Sequence, residues 1–264
     1  MTTFGTFGVW GPHQAWAGRV DEVAELERLG YGTFWVGGSP EADLALPEQL
    51  LGATTTMTIA TGILNVWQTE PEDVARSFDR IADERLVLGI GAGHRQVDQA
   101  YEKPYEKLTN YLDRLDVPRE KVVLAALGPR VLKLAAERTA GAHPYLVPKA
   151  HTEHARGILG DKLLAPEVTV VVEEDPAEAR KIAREQLAYY FELTNYTSNW
   201  LRWGFTEEDV ANRGSDDLID ALVPHGNPGQ VAEKLRAHLD AGADHVAVQS
   251  LNGHYAELAA ALGL

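Results

Sequence analysis

Cysteine is missing from this chain of 264 residues. No disulfide, thiolate nucleophile or cysteine-ligated zinc is therefore available to it. Also missing is any run of about 18 consecutive apolar residues, the length a membrane-crossing helix needs. The opening MTTFGTFGVWG has neither the basic start nor the apolar run of a secretory signal. Positive charge is scarce: 24 Lys and Arg stand against 39 Asp and Glu, for a net charge of -15. That balance disfavours nucleic acid and acidic membrane surfaces as partners. A small anionic ligand stays admissible, because a loop and a helix dipole can outweigh the global field locally. No serine stands in a GxSxG context, and no short-period repeat or low-complexity run occurs. These absences fit a cytoplasmic enzyme that acts on a small molecule, with neither a nucleic-acid nor a membrane partner.

What is present is organised around Met57 to His94. Met57 to Leu64 is apolar and rich in Thr and Ile, as a strand buried on both faces should be. Pro71 stands where a first helical turn begins, and Val74, Phe78, Ile81 and Ala82 mark one buried helix face. Leu86 to Ile90 is a second buried strand, overlapped and followed by Gly89, Gly91 and Gly93. A right-handed crossover makes these two strands parallel neighbours whose loops share one carboxyl edge. Parallel α/β folds place their ligands at that edge.

The rest of the chain repeats this rhythm. Strands are expected at Phe4–Trp10, Thr33–Val36, Lys121–Ala126, Ala142–Val147, Glu167–Val172 and His245–Gln249. Helices are expected at Trp16–Leu29, Leu46–Leu51, Val97–Leu115, Pro129–Arg138, Ala150–Leu159, Pro176–Phe191 and Pro228–Ala241, with a last one after Gly253. Eight strands alternating with helices predict a parallel sheet, and eight units favour a (β/α)₈ barrel, a fold of roughly 250 residues. One domain over 1–264 follows, interrupted by a polar and aromatic insertion at about 193–225 before the last βα unit. The insertion is either a lid or an oligomer contact.

Several motifs carry chemistry, each beside a plainer reading. The Gly89-Gly91-Gly93 run is too tight for a dinucleotide fingerprint. Its alternatives are a tight turn and a loop whose backbone N–H groups approach a ligand. Leu127-Gly128-Pro129-Arg130 joins a strand to a helix start, either as a plain Pro-started helix or as a phosphate site. His143, His151 and His154 lack the arrangement of a metal site and read as surface or phosphate-contacting residues, so no metal is expected. His94 ends the glycine loop on the functional edge, either as a group that handles a proton or as a capping or core histidine. Aromatics at strand ends, Trp10, Trp67 and Tyr145 among them, are placed to wall a pocket for a flat ring.

Taken together, Ala60-Thr-Gly-Ile-Leu-Asn-Val-Trp67, Leu88-Gly-Ile-Gly-Ala-Gly-His94, Ala125-Ala-Leu-Gly-Pro-Arg130 and Thr139-Ala-Gly-Ala-His-Pro-Tyr-Leu146 form an ordered set. Asn195-Tyr196, Gly204-Phe-Thr-Glu-Glu208 and Ala241-Gly-Ala-Asp-His-Val246 extend it almost to the end. With these segments the chain resembles the bacterial luciferase-like monooxygenase superfamily, in particular its actinobacterial branch of coenzyme F420-dependent oxidoreductases. The resemblance implies a TIM barrel with an insertion, a homodimer, and hydride transfer between the deazaflavin and a small organic substrate. It also implies a non-prolyl cis peptide at Gly62-Ile63, with Ile63 propping one ring face and Leu64 and Asn65 continuing along the ring edge. Gly91, Ala92, Gly93 and His94 would line the ring, and His94 would handle a coupled proton. Leu127, Gly128, Pro129 and Arg130 match the phosphate-binding helix start. Tyr145, Val147 and Pro148 match the loop beside the ribityl-phosphate tail, and Trp10, Trp67 and Gln249 would face the substrate. Relatives that oxidise sugar phosphates carry an Asp-His pair after the second strand, where this chain has Gly37-Gly38-Ser39. The rivals are an FMN-dependent monooxygenase, a non-catalytic flavin- or deazaflavin-binding protein and, last, a phosphate-binding barrel with aldolase-like chemistry.

Overall fold

A computed structural model describes residues 4–94 and 103–264. Its strands are β1 (Phe7–Pro12), β2 (Thr33–Gly37), β3 (Thr58–Gly62), β4 (Leu64–Asn65), β5 (Leu86–Gly91) and β6 (Val122–Leu124). They continue with β7 (Gly141–Ala142), β8 (Leu163–Leu164), β9 (Glu167–Val172), β10 (His225–Gly226) and β11 (Val246–Ser250). All pair in parallel, in the order β10-β9-β11-β1-β2-β3-β5-β6-β7-β8, with β4 beside β5. The chain passes from β8 to β9 across Ala165 and Pro166 alone. Ala165 N donates to Ala142 O, and Ala247 N donates to Pro166 O. One stretch, Leu163 to Val172, thus borders β7 on one side and β11 on the other. This is the ring of a (β/α)₈ barrel, with helices between the strands.

Alternation along the strands sorts side chains into two layers, as a pleat requires. Trp35, Ala60, Val87, Val123 and Ala247 pack together in one cluster. Their neighbours Phe34, Ile59, Leu86, Leu88, Val122, Leu124, Val246 and Val248 pack in another with the helices. The inner cluster is mostly small residues, which leaves room for Trp35 to stack flat on His143, ring centroids 3.9 Å apart.

Two expected strands are markedly altered. Met57–Leu64 is split into β3 and β4 by a cis peptide at Gly62-Ile63, where the resemblance had put it. Ala142–Val147 shortens to β7, because Pro144 and Pro148 lack an N–H to pair and Leu146 adopts a left-handed φ of 50°. β8 was not expected from the sequence, since its two residues precede a proline. The first expected helix begins later: the described helix runs Val20–Arg28, after a turn of helix at His13–Trp16. Of the expected helix Val97–Leu115, Pro104–Arg114 is helical; its residues up to 102 lie outside the described residues. The insertion folds into helices Thr194–Arg202, Glu207–Val210 and Asp216–Leu222. They share a core of their own around Trp200, Leu218 and Ile219, seated on helix Pro176–Leu187 and Leu146.

One polar side chain anchors the entry to β3. Glu27, near the end of helix Val20–Arg28, accepts hydrogen bonds from the backbone N–H groups of Thr55, Thr56 and Met57. Burial alone would raise its carboxyl, but these donors outweigh burial and hold it down at about 2. A depressed carboxyl stabilises the fold above the ordinary value of 4.5 and loses that contribution as pH falls towards 2. Glu27→Ala is expected to cost about 2 kcal/mol near neutrality, after allowance for solvent screening. Urea unfolding of both proteins should show the gap narrowing below 4.5. A gap independent of pH would mean that the loss is one of packing.

Candidate active site

At the carboxyl ends of the strands lies a cavity of about 620 Å³, within the range of small-molecule sites. Its walls come from the loops after β2, β3, β5, β6 and β7 and from the start of the insertion. The first wall is Gly62 and Ile63. A Cβ on Gly91 would stand 2.7 Å from Ile63 Cδ1, and one on Gly89 would overlap the carbonyl oxygen of Thr61. These two glycines therefore make room for the step after β3; among the three, only Gly93 has a positive φ, 57°. Bare backbone at 89 and 91 lets Ile63 lie across β5 as a flat apolar ledge.

The glycine loop is held from behind. Trp67 Nε1 donates to Ala92 O at 2.7 Å, and Asn65 Oδ1 accepts from Trp67 N at 3.0 Å. His94 Nδ1 is 3.3 Å from Asn195 Oδ1, and its ring lies 5.5 Å from that of Tyr196. A residue of the insertion thus touches the end of the loop after β5.

On the opposite side, helix Pro129–Arg138 starts at Gly128 with no side-chain cap, so its first N–H groups remain open to a ligand. A Cβ on Gly128 would meet nothing within 4 Å. The Arg130 guanidinium lies over the Tyr105 ring, 4.3 Å from its centroid. His151 Nε2 donates to Leu127 O at 2.9 Å and fixes the turn before the helix.

The third wall is aromatic. Tyr190 donates its hydroxyl to Tyr145, and Tyr145 donates to Gln249 Oε1, at 3.1 and 2.9 Å. Behind Gln249, Thr169 donates to Glu167 Oε1 at 2.6 Å. Glu167 is fully enclosed, and burial raises its carboxyl to about 8 despite the bonds from Thr169 and Leu146 N. Burial likewise pushes the Tyr145 hydroxyl well above its usual range. Among the described residues, no carboxylate lines the cavity and Arg130 is its one fixed cation.

Of the residues singled out in the sequence, the cavity brings together Trp10, Gly62, Ile63, Asn65, the Gly91–His94 loop, Leu127, Gly128, Arg130 and Tyr145. It does not bring in Leu64, which is packed in the core, or Trp67, whose indole braces the loop. Pro129 faces solvent, Val147 is buried, and Pro148 caps helix Lys149–Leu159. Gln249 reaches the cavity only through Tyr145. The reading of His143 and His151 as surface or phosphate-contacting residues is corrected: both are buried and neutral, because desolvation lowers them to about 3 and about 4. His143, Tyr190 and Tyr196 are lining residues that sequence reasoning did not assign. Both Tyr196 and His143 lie in motifs that carry the resemblance, Asn195-Tyr196 and Thr139–Leu146, but the stack with Trp35 that buries His143 has no local signal.

No curated protein matches the sequence. Solved structures do match in fold. An F420-dependent secondary alcohol dehydrogenase bound to an F420-acetone adduct superposes with a TM-score of 0.73 at 12% identity, over 98% of this chain and 99% of that one. The F420-dependent tetrahydromethanopterin reductase of Methanopyrus kandleri gives 0.69 at 15% identity, over 98% of each chain. The FMN-bound oxygenating constituent of 3,6-diketocamphane monooxygenase from Pseudomonas putida gives 0.67 at 15% identity, over 96% of each. The family model for luciferase-like monooxygenases matches residues 1–116 and 106–245. These two matches run through every wall of the cavity, and the chain belongs to the luciferase-like monooxygenase family.

Proposed function

We propose that the protein is an F420-dependent oxidoreductase that moves a hydride between the deazaflavin and a small organic substrate. The observation that carries this reading is one cavity with an apolar ledge at Gly62-Ile63 and an open, Arg-flanked helix start at Gly128. A flat ring needs the first, and an anionic tail needs the second. The residues present fit such a group: bare backbone at Gly62 leaves room for a ring, and Gly128 exposes amides to a phosphate.

When bound, the deazaflavin supplies the hydride chemistry at its ring carbon. Ile63 would cover one ring face and turn the other towards Trp10 and Tyr145. Arg130 and the helix start would hold the phosphate by charge-assisted hydrogen bonds. Asn195 would orient the His94 imidazole, which would take or give the coupled proton. The tyrosines of the insertion would exclude water from the reacting carbon.

Titration with F420 and with FMN, followed by cofactor and tryptophan fluorescence, tests the reading. F420 is expected to bind at about micromolar Kd or tighter, and FMN more weakly. Arg130→Ala should weaken F420 by about 10-fold yet leave its phosphate-free nucleoside unaffected. A preference for FMN would transfer the assignment to oxygen-dependent chemistry. Binding of neither would remove the enzyme assignment, and binding without reduction by any substrate would leave a carrier protein.

A further inference from the structure

Two tryptophan–histidine pairs are stacked through the barrel, and only the lower one is closed. There, Trp35 Nε1 donates to His245 Nε2 at 3.0 Å, and the other ring nitrogen of His245 bonds to Gly5 O at 2.8 Å. Every polar atom of that pair is satisfied. One layer up, Trp10 and His143 repeat the combination but not the bond. His143 Nδ1 is 2.6 Å from Ala165 O; a carbonyl only accepts, so Nδ1 carries the proton and Nε2 presents a lone pair. Neither His143 Nε2 nor Trp10 Nε1 has a hydrogen-bond partner among the described residues, although both atoms are buried. An unpaired buried donor or acceptor is costly, so two of them on one cavity wall call for a ligand.

Both nitrogens lie beside Gly62. The point where a Cβ on Gly62 would stand is 2.8 Å from Trp10 Nε1 and 3.4 Å from His143 Nε2. Gly62, Trp10 and His143 all line the cavity, and the two side chains are 5% and 2% exposed. Neither ring is free to turn away: His143 is stacked on Trp35, and Trp10 is wedged between Gly37 and Tyr145.

We propose that Trp10 and His143 form a hydroxyl-binding subsite that selects an alcohol as the substrate. An indole N–H needs an acceptor and a bare imidazole nitrogen needs a donor. One hydroxyl oxygen supplies both, whereas a ketone or carboxylate oxygen satisfies only the indole. Burial keeps His143 neutral down to about 3, so the subsite keeps its polarity at working pH. Calling that hydroxyl the substrate's rests on the hydride-transfer reading above; the pairing of the two nitrogens does not.

The test follows the indole N–H resonance of Trp10, assigned by its loss in Trp10→Phe, in the full chain with and without saturating F420. The probes are cyclohexanol and cyclohexanone, which differ in that one group. Cyclohexanol is expected to shift the resonance and to bind about 10-fold more tightly than cyclohexanone. His143→Phe should reduce cyclohexanol to the ketone's affinity and leave cyclohexanone unchanged. Equal affinities in the wild type, a comparison that needs no variant, would overturn the proposal. So would an indole resonance already at a hydrogen-bonded position without ligand, which would mean that Trp10 bonds directly to His143. If F420 alone shifts the resonance and abolishes the preference, the hydroxyl is the cofactor's and the substrate assignment falls. F420 binding is read in the same samples by its own fluorescence, so its absence beside an intact alcohol preference would sink the cofactor reading alone.

Discussion

Gly62→Val is expected to reduce F420 binding by about 100-fold while leaving a folded barrel. The backbone at Gly62 has an ordinary φ, so a side chain is conformationally admissible there. Space is the obstacle. Its Cβ would stand 2.8 Å from Trp10 Nε1, and two further methyl groups would fill the ledge on which a ring must lie. Overpacking of this kind costs about 1–3 kcal/mol of stability, which a domain of this size absorbs. Circular dichroism should match the wild type, with thermal unfolding lowered by a few degrees. Near-native F420 affinity in this variant would remove Gly62-Ile63 from the binding site. Gly62→Ala, with the Cβ alone, should fall between the two.

The second large effect concerns Glu167. Its carboxyl is raised from 4.5 to about 8 by burial, which the bonds from Thr169 and Leu146 N offset only in part. A group whose folded pKa is raised contributes stability below its unfolded value and loses it as pH rises through the folded value. Between 4.5 and about 8, stability should therefore fall with rising pH, by an amount on the order of 4 kcal/mol for this residue. The buried His143, His151, His238 and His245 act oppositely. Burial lowers each from 6.5 to between about 3 and about 4, so their contribution is lost as pH falls below 6.5. A difference measurement separates the two. Glu167→Gln keeps an oxygen for Thr169 but cannot ionise, so its advantage over the wild type should grow from 4.5 to about 8 and then level off. A difference that stays constant over that interval would show that Glu167 ionises normally. Because Glu167 lies behind Gln249 and Tyr145, its ionisation would also place a charge beneath the aromatic wall.

How far the sequence discloses the site depends on whether a role is local. The strand-helix alternation, the carboxyl-edge location and the Gly128 helix start are local patterns, and each is found where the residues place it. The cis bond at Gly62-Ile63 was legible only through likeness to a family, since no spacing rule announces it. What sequence reasoning misses is non-local. Trp67 carries the composition of a pocket wall yet braces a loop through one bond to Ala92. His143 has the composition of a surface residue yet is buried, because Trp35 supplies a flat partner from a distant strand. Gly89 and Gly91 read as a tight turn or as a loop whose backbone approaches a ligand, and no local pattern shows that their lack of side chains also accommodates Thr61 and Ile63. β8 is lost to inspection because Pro166 splits one barrel position into two short pieces.

The sheet order has a consequence for how the molecule is made. β1 sits between β2 and β11, with Phe7 opposite Val246 and Val9 opposite Val248. Strands leave the ribosome in chain order, so the earliest is held on one flank until the latest appears. Throughout synthesis the nascent chain thus offers an open β edge, the surface on which misassembly begins. A product cut short before Val246 is not a slightly smaller protein but a ring that never shut, a client for chaperones and proteases.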